Sequence, residues 1–543
     1  MPAAPSSTLT PSGVGPTPPS HAPRILFIGA GSQGHAYAAP ITRNGLGTIV
    51  GICEPIPYKR QEFGGRYIWG KRPPLAHEQF LLWEDFINYE LSRREAVKAG
   101  DIGEDDAQYK GVDAAFICVL DELHIKVVKA LAPLGLHIMC EKPLATNLQD
   151  CVSIMSSVKR EWQVLGRKTI FGIGHVLRYS PQNMMLRKLI REDKVIGDVV
   201  SLEHTEPVGW WHMAHSFVRG NWRRDDTTAP ILLTKCCHDI DFLMWLLCSP
   251  ASSTSADPPH VPSYIFSSGN LTHFRKARKP LGAGSATNCM SCPIQEKCAY
   301  SAKNIYVNKH FRKRDFDWPL KIVVPEIEDL YEEQGKEKAE QRILEVLAED
   351  YTAETPESVV KSRPWFGRCV WECDNNVCDD QTVTLTWEDD PLSTTPAIDG
   401  EIVQLGDRAA KTAIFHMTAP TEKICERRGR IYGTEGELTY DEDYVSVYDF
   451  ATDKSTRYRA KAGQGHGHGG GDDALAEHFC RAAQAVLSGE MEVELAQKTW
   501  LGCDLEEVVR SHVAVFFGEI ARTGRTVVDW RKMWADMVEK PLA

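Results

Sequence analysis

Three groups of residues in this chain have the types and spacing to do chemistry. The first is Gly29-Ala30-Gly31-Ser32-Gln33-Gly34, directly after the apolar residues 25–28. A strand, a G-x-G-x-x-G turn and a helix start, in that order, make a phosphate cradle. Gly29 allows the tight turn, Gly31 lets a pyrophosphate approach the backbone, and Gly34 lets the helix pack on the strand. Ser32 and Gln33 fall at the helix N-terminus, whose amides suit phosphate oxygens. The next apolar run, TIVGIC, leads into Glu54, twenty residues after Gly34. A carboxylate there grips a ribose diol and repels a 2′-phosphate, so NAD is the expected cofactor. Lys59 and Arg60 follow closely and keep NADP open.

The second group is basic. Lys142 stands in Glu141-Lys142-Pro143, just past the apolar run LHIMC. Ligands of doubly wound sheets lie outside the carboxyl ends of the strands, so Lys142 is expected at a cofactor cleft. Later comes Thr234-Lys235-Cys236-Cys237-His238-Asp239-Ile240-Asp241 at a helix start. An alcohol dehydrogenation needs a base for the hydroxyl proton, and a histidine titrating near neutral pH suits that task. A nearby ammonium steadies the developing oxyanion. His238 is therefore assigned as general base, Lys142 as the hydroxyl-polarising and nicotinamide-positioning residue, and Lys235 as a second donor. The plainer expectation for Lys235 is an ion pair with Asp239 or Asp241. Trp210-Trp211-His212 and Trp222, amid arginines 219, 223 and 224, mix flat apolar faces with polar donors, as a sugar pocket would. His175 and Arg178 follow the last strand of the first domain and are further substrate candidates.

The third group is sulfur. Cys289-x2-Cys292-x5-Cys298 precedes Cys369-x3-Cys373. Three thiols within ten residues can meet on one tetrahedral zinc, with Cys373 or Cys369 as the fourth ligand. An iron–sulfur cluster would use the same thiolates. Zinc is the expected ion.

The elements that must position these groups alternate. Strand and helix patterns succeed one another from Arg24 to about Arg178, and AAFICVL reads as a strand buried on both faces. Such alternation predicts a doubly wound parallel sheet. Residues 55–110 form an elaborated crossover. Beyond residue 178, QTVTLTWEDD, TAIFHMTA, GRIYGTEGELTYDED and YVSVYDF read as antiparallel strands. The expected organisation is a disordered tail over 1–23, a Rossmann domain over 24–178, and an α/β domain over 179–543 with an irregular cysteine-rich insertion at about 250–378.

At 543 residues, 25% charged and 43% hydrophobic, the chain is ordinary for a multidomain globular enzyme. A formal charge of −12 argues against nucleic-acid or anionic-membrane partners. The N-terminal stretch lacks an apolar core, and no apolar run approaches twenty residues, so a cytoplasmic location without a membrane span is expected. Sixteen cysteines without a secretory signal point to free thiols or metal ligands.

GAGSQG, VDAAFICVLDELH, GLHIMCEKPLA, the Arg178-Tyr179-Ser180-Pro181 step, HDID and GTEGEL together resemble the glucose–fructose oxidoreductase / inositol dehydrogenase (Gfo/Idh/MocA) family, in a sub-branch with a cysteine-rich insertion. The resemblance implies a Rossmann domain plus an α/β domain with an open, mainly antiparallel sheet, and a homo-oligomer, dimer or tetramer. It implies cofactor contacts at Leu120, His124 and Glu141. It implies an NAD(P)-dependent oxidoreductase acting on a secondary alcohol of a sugar, polyol or related small molecule. Two alternatives stand beside it: an NAD-dependent glycosidase and a non-catalytic nicotinamide-binding regulator. Thr234 departs from the pattern, because most of the family carries an aspartate there.

Overall fold

Short, continuous apolar runs can be buried on both faces, and they form the first sheet. In the computed structural model these are β1 (Arg24–Ile28), β2 (Thr48–Cys53), β3 (Gln79–Phe80), β4 (Ala114–Ile117), β5 (His137–Cys140) and β6 (Phe171–Ile173). They lie all parallel in the order β3-β2-β1-β4-β5-β6. The structure describes residues 16–542 apart from 105, 107–108, 110, 253–254, 393–396, 399–401, 404 and 461–467.

Register explains why the motifs share an edge. Ile28 pairs with Cys53 and Ile117, Ile117 with Cys140, and Cys140 with Ile173. The next residue of each strand is therefore Gly29, Glu54, Cys118, Glu141 or Gly174, all at the carboxyl edge. The order reverses between β1 and β4, and such reversals mark the ligand crevice of doubly wound sheets.

The chain forms two compact units. The first comprises Met1–Ala145, Ser153–Tyr179 and Gln464–Val508. The last segment lies where the sequence reading places the second domain. Its helix Gly471–Leu487 sets Phe479 edge-on to Phe116 of β4, ring centroids 5.1 Å apart. Its Gln497 amide accepts from the Phe171 amide (2.9 Å) and donates to the Phe171 carbonyl (2.8 Å). One side chain thus satisfies the edge of β6 as another strand would. The expected tail divides: residues 1–15 lie outside the described residues, while the Pro23 carbonyl accepts from Thr48 and the Ser20 carbonyl from Gln484.

The second unit comprises Thr146–Val152, Ser180–Gly463 and Val509–Ala543. Its sheet contains β7 (Val199–Pro207), β8 (Tyr264–Asn270), β9 (Asp380–Trp387), β12 (Lys411–Thr418), β13 (Arg428–Gly433), β14 (Gly436–Tyr440), β15 (Val445–Asp449), β16 (Lys454–Tyr458) and β17 (Val528–Asp529). β10 (Ala397–Ile398) and β11 (Ile402–Val403) pair separately. The order is β16-β15-β14-β13-β7-β12-β9-β8-β17, antiparallel except for β7 with β12. β9 alternates buried and half-buried residues along its whole length, the mark of a sheet covered on one face. β8 corrects the expected insertion. Residues 264–270 belong to the sheet, and the irregular region begins after them.

Candidate functional site

In the first unit the three glycines do three different things. Gly29 has φ +100°, and a Cβ there would stand 2.3 Å from the Cys118 carbonyl oxygen. A Cβ on Gly34 would stand 2.6 Å from the Gly29 carbonyl oxygen, so the helix Ser32–Asn44 sits tight on the turn. A Cβ on Gly31 would meet nothing within 4 Å. Gly31 is also the helix N-cap, and no side chain caps the helix there. Open space in front of uncapped helix amides is what a pyrophosphate requires.

Glu54 is buried, with each carboxylate oxygen accepting one backbone amide, Ala30 on one side and Ile56 on the other, both at 2.9 Å. Each oxygen keeps a second lone pair, so the group is oriented and can still accept from a ribose hydroxyl. Arg60, a sequence candidate for a 2′-phosphate, donates instead to the Glu54 carbonyl.

Glu141 and Lys142 follow β5. Glu141 accepts from the Tyr37 hydroxyl and from the Lys142 amide (3.1 Å). Burial pushes the Glu141 carboxyl up to about 7, against the pull of the Lys142 ammonium and the Tyr37 hydroxyl. The Lys142–Pro143 peptide is cis. His124 is fully buried, one ring nitrogen 2.6 Å from the Pro143 carbonyl and the other 3.2 Å from the Val119 carbonyl. Its ring therefore braces the turn that carries Lys142, rather than facing outward as a cofactor contact. Leu120, by contrast, is half exposed. Gln33 donates to Asp472 (2.7 Å), which also pairs with His468 at 2.8 Å. His466, in the same glycine/histidine run, lies outside the described residues. Arg178 is buried and committed to Glu507 at 2.5 Å, and His175 is buried. Neither the Tyr37 nor the Asp472 contact had a local sequence signal.

In the second unit the HDID motif stands at a helix start, where the sequence places it. Helix Ile231–Thr234 ends, and Cys237–Leu247 begins after Lys235 and Cys236. His238 is buried in the first turn of the second helix. Lys235 does not pair with Asp239 or Asp241. Its ammonium lies 3.2 Å from Glu206 of β7 and 3.0 Å from the Cys425 sulfur. Burial opposes its charge, but Cys425 and Glu206 beside it outweigh that and hold it protonated. Lys235 is thus a donor, not a base. Asp239 is claimed by Arg427 (2.6 Å) and His204 (3.0 Å), and His204 bonds the Tyr440 hydroxyl at 2.7 Å. Burial would raise the Asp239 carboxyl, yet Arg427 and His204 bring it well below the usual carboxylate range.

Cys425 joins two predicted residues. Its sulfur is also 3.9 Å from His212. His212 and Trp222 flank Phe217, at centroid distances of 5.7 and 5.8 Å. His215, nearby in sequence, is a core residue bonded to the Tyr306 hydroxyl at 2.9 Å. Glu206, Cys425 and Arg427 escaped sequence reading, because nothing local marks them.

The expected zinc does not form as drawn. Among the described residues, no three histidine, cysteine, aspartate or glutamate side chains are grouped to hold a metal ion. Cys289, Cys292, Cys298 and Cys369 line one small cavity, and Cys373 is not among its walls.

Residues 23–167 match the family model described as oxidoreductase family, NAD-binding Rossmann fold (Gfo/Idh/MocA). Over these residues the chain is similar to that family. It is 29% identical over 164 residues to 2,7-anhydro-N-acetylneuraminate hydratase of Escherichia coli K12, covering 30% of this chain and 38% of that protein. It is 22% identical over 234 residues to inositol 2-dehydrogenase/D-chiro-inositol 3-dehydrogenase of Lactiplantibacillus plantarum, covering 42% and 53%. The chain thus spans about half or less of these curated relatives. Two solved structures share the fold over nearly the whole chain. Levoglucosan dehydrogenase in complex with NADH and levoglucosan aligns with TM-score 0.52 and 15% identity, over 93% of this chain and 98% of that one. An oxidoreductase domain protein from Kribbella flavida aligns with TM-score 0.53 and 13% identity, over 93% and 98%. At such identity the likeness establishes the fold: a parallel Rossmann sheet plus a second, mostly antiparallel one. Among the described residues, no helix is long and apolar enough to cross a membrane.

Proposed function

We propose that this chain is a nicotinamide-dependent oxidoreductase that moves a hydride between NAD(H) and a secondary alcohol of a sugar, polyol or related ring. The observation that carries the reading is the carboxyl edge of the first sheet, where an open Gly31, an oriented Glu54 and the Glu141-Lys142 turn stand in register. NAD, when bound, supplies the hydride acceptor. The amides after Gly31 would hold its pyrophosphate and Glu54 its ribose. Glu54 favours NAD over NADP, and the engagement of Arg60 with a backbone carbonyl supports that choice. Lys142 polarises the alcohol and positions the nicotinamide. His238 takes the hydroxyl proton, and Lys235, held protonated, donates to the developing oxyanion. His212 and Trp222 are assigned to the substrate. The names of the relatives, an inositol dehydrogenase and an anhydro-sugar hydratase, support a polyhydroxylated ring.

The hydratase name also favours a second, redox-neutral reading, in which oxidation, elimination and re-reduction leave no net NADH. A screen of sugars, polyols and anhydro-sugars with NAD and NADP separates the two. Net nicotinamide absorbance marks a dehydrogenase; product without it marks the neutral cycle. Lys142→Ala should lower turnover about 10²–10³-fold while NAD still binds. Wild-type turnover in that variant would refute the assignment. A cytoplasmic location and self-association into a dimer or tetramer complete the reading; sedimentation tests the latter.

A further inference from the structure

The cysteine-rich region of the second unit is not used by the reaction above, yet it is built with care. Two segments about eighty residues apart are stitched by backbone. The Cys289 amide donates to the Gly367 carbonyl and the Cys369 amide to the Thr287 carbonyl, both at 2.8 Å, around an Asn288–Arg368 bridge. A Cβ on Gly367 would collide with the Leu347 carbonyl, so the chain passes there as glycine alone. The Asn288 side chain accepts from the Met290 amide (2.7 Å) and fixes the C-x2-C turn. The result is one cavity walled by the sulfur-bearing residues Cys289, Cys292, Cys298 and Cys369, and otherwise largely by apolar ones, Ala283, Ile294, Val370 and Trp371 among them. No acid or amine lines it. Soft thiolate ligands in an apolar shell select iron–sulfur, zinc or cuprous centres over hard cations.

A second observation points into the same place. Arg219 is fully buried. Its guanidinium donates to the carbonyls of Arg368 (2.6 Å) and Tyr300 (2.7 Å) and to the Cys289 sulfur (3.4 Å). Its Nη1 has no hydrogen-bond partner, and no carboxylate pairs with it among the described residues. A buried cation requires a counter-charge. A neutral thiol offers none; a metal-bound thiolate does.

The arrangement also separates one kind of centre from another. A single ion needs three or four donors meeting at one point, which these side chains do not do. In a four-iron cluster each thiolate binds a different iron, so the four sulfurs need not meet at one point. We propose that Cys289, Cys292, Cys298 and Cys369 hold a four-iron iron–sulfur cluster, with Arg219 as its buried counter-cation. The cluster fastens residues 287–298 to residues 367–369. It also anchors the Arg219 end of the helical stretch that begins at Trp210 and carries His212.

The test is composition. The full chain is purified without oxygen, supplied with ferrous iron and sulfide, desalted, and analysed for iron, acid-labile sulfide, zinc and visible absorbance. About four irons and four sulfides per chain, with a broad visible band, are expected. Cys369→Ser should lose them, and Cys373→Ser, outside the cavity wall, should keep them, with circular dichroism reporting the fold of both. Should Cys369→Ser not fold, the wild-type composition and Cys373→Ser still decide. Three results overturn the proposal: a chain without iron whose cavity thiols all alkylate in the native state, one zinc per chain without sulfide, or iron retained in Cys369→Ser but lost in Cys373→Ser.

Discussion

Gly29, Glu54 and Glu141 occupy equivalent places on the first sheet because each follows a strand whose last residue is paired in register with its neighbour's. In the second unit, Glu206 comes from a strand, Lys235 from a helix break, Asp239 from a helix, and Cys425 and Arg427 from a loop. Ion pairs and a lysine–sulfur contact join their side chains, while the Cys425 amide bonds the Pro207 carbonyl of β7 and Arg428 pairs with Thr205. The first region is therefore placed by backbone geometry, and the second adds compensated buried charge to its backbone pairing. Damage to the first should act through strain, and damage to the second through desolvated, unpaired ions.

The largest effect should come from the charge network. Arg427→Met leaves Asp239 and Glu206 buried without their guanidinium. Removing one partner of a buried pair costs about 3–5 kcal/mol, and urea unfolding measures it. A loss below about 1 kcal/mol, the value of an exposed pair, would break the contrast.

Next comes the glycine pair. Gly29→Ala places a Cβ against Cys118 at positive φ, and should cost about 1–3 kcal/mol from backbone strain alone. Gly31→Ala meets nothing and should stay within about 0.5 kcal/mol of wild type. Its damage should appear instead in NAD titration. Equal unfolding midpoints for the two variants would show that the glycines do not divide their tasks.

The smallest and sharpest comparison is pH. Glu141, pushed up to about 7, keeps its proton in the folded state after the unfolded chain has released it. Stability should therefore fall as pH rises from the ordinary glutamate range, about 4.3, through 7. His215, brought down to about 3 by burial and then by Arg219, refuses a proton that the unfolded chain accepts. Its contribution should be lost as pH falls below about 6.5, the ordinary histidine value. Glu141→Gln should flatten the upper arm of the melting-temperature profile and His215→Gln the lower. A profile whose arms ignore these substitutions would place the titrations elsewhere.

How much of this was legible follows the same division. The glycine turn, Glu54 and the Glu141-Lys142 turn could be read because strand, turn and helix signals are local and the sheet is built from local crossovers. Asp472 could not, since it lies 439 residues from Gln33. Nor could Cys425 and Arg427, whose partners Lys235 and Asp239 are 190 and 188 residues away. Cys369 and Cys373 are equivalent on the page; only the backbone pairing of Cys369 with Thr287 puts its residue, and not the other, in the cavity wall. β8 was missed because SYIFSSGN offers few large apolar residues inside an irregular stretch.

Gln497 and Phe479 bear on how the molecule comes into being. They close the first unit against β6 and β4, yet the ribosome makes them more than three hundred residues after those strands. While the intervening polypeptide is synthesised, the nucleotide-binding half has an unfinished flank, with the β6 edge and the ring of Phe116 awaiting their covers. The first unit is thereby completed only after residues 180–463 of the second have been made. A fragment ending near residue 178 contains the glycine turn, Glu54 and the Glu141-Lys142 turn but leaves Phe116 and the β6 edge without Phe479 and Gln497.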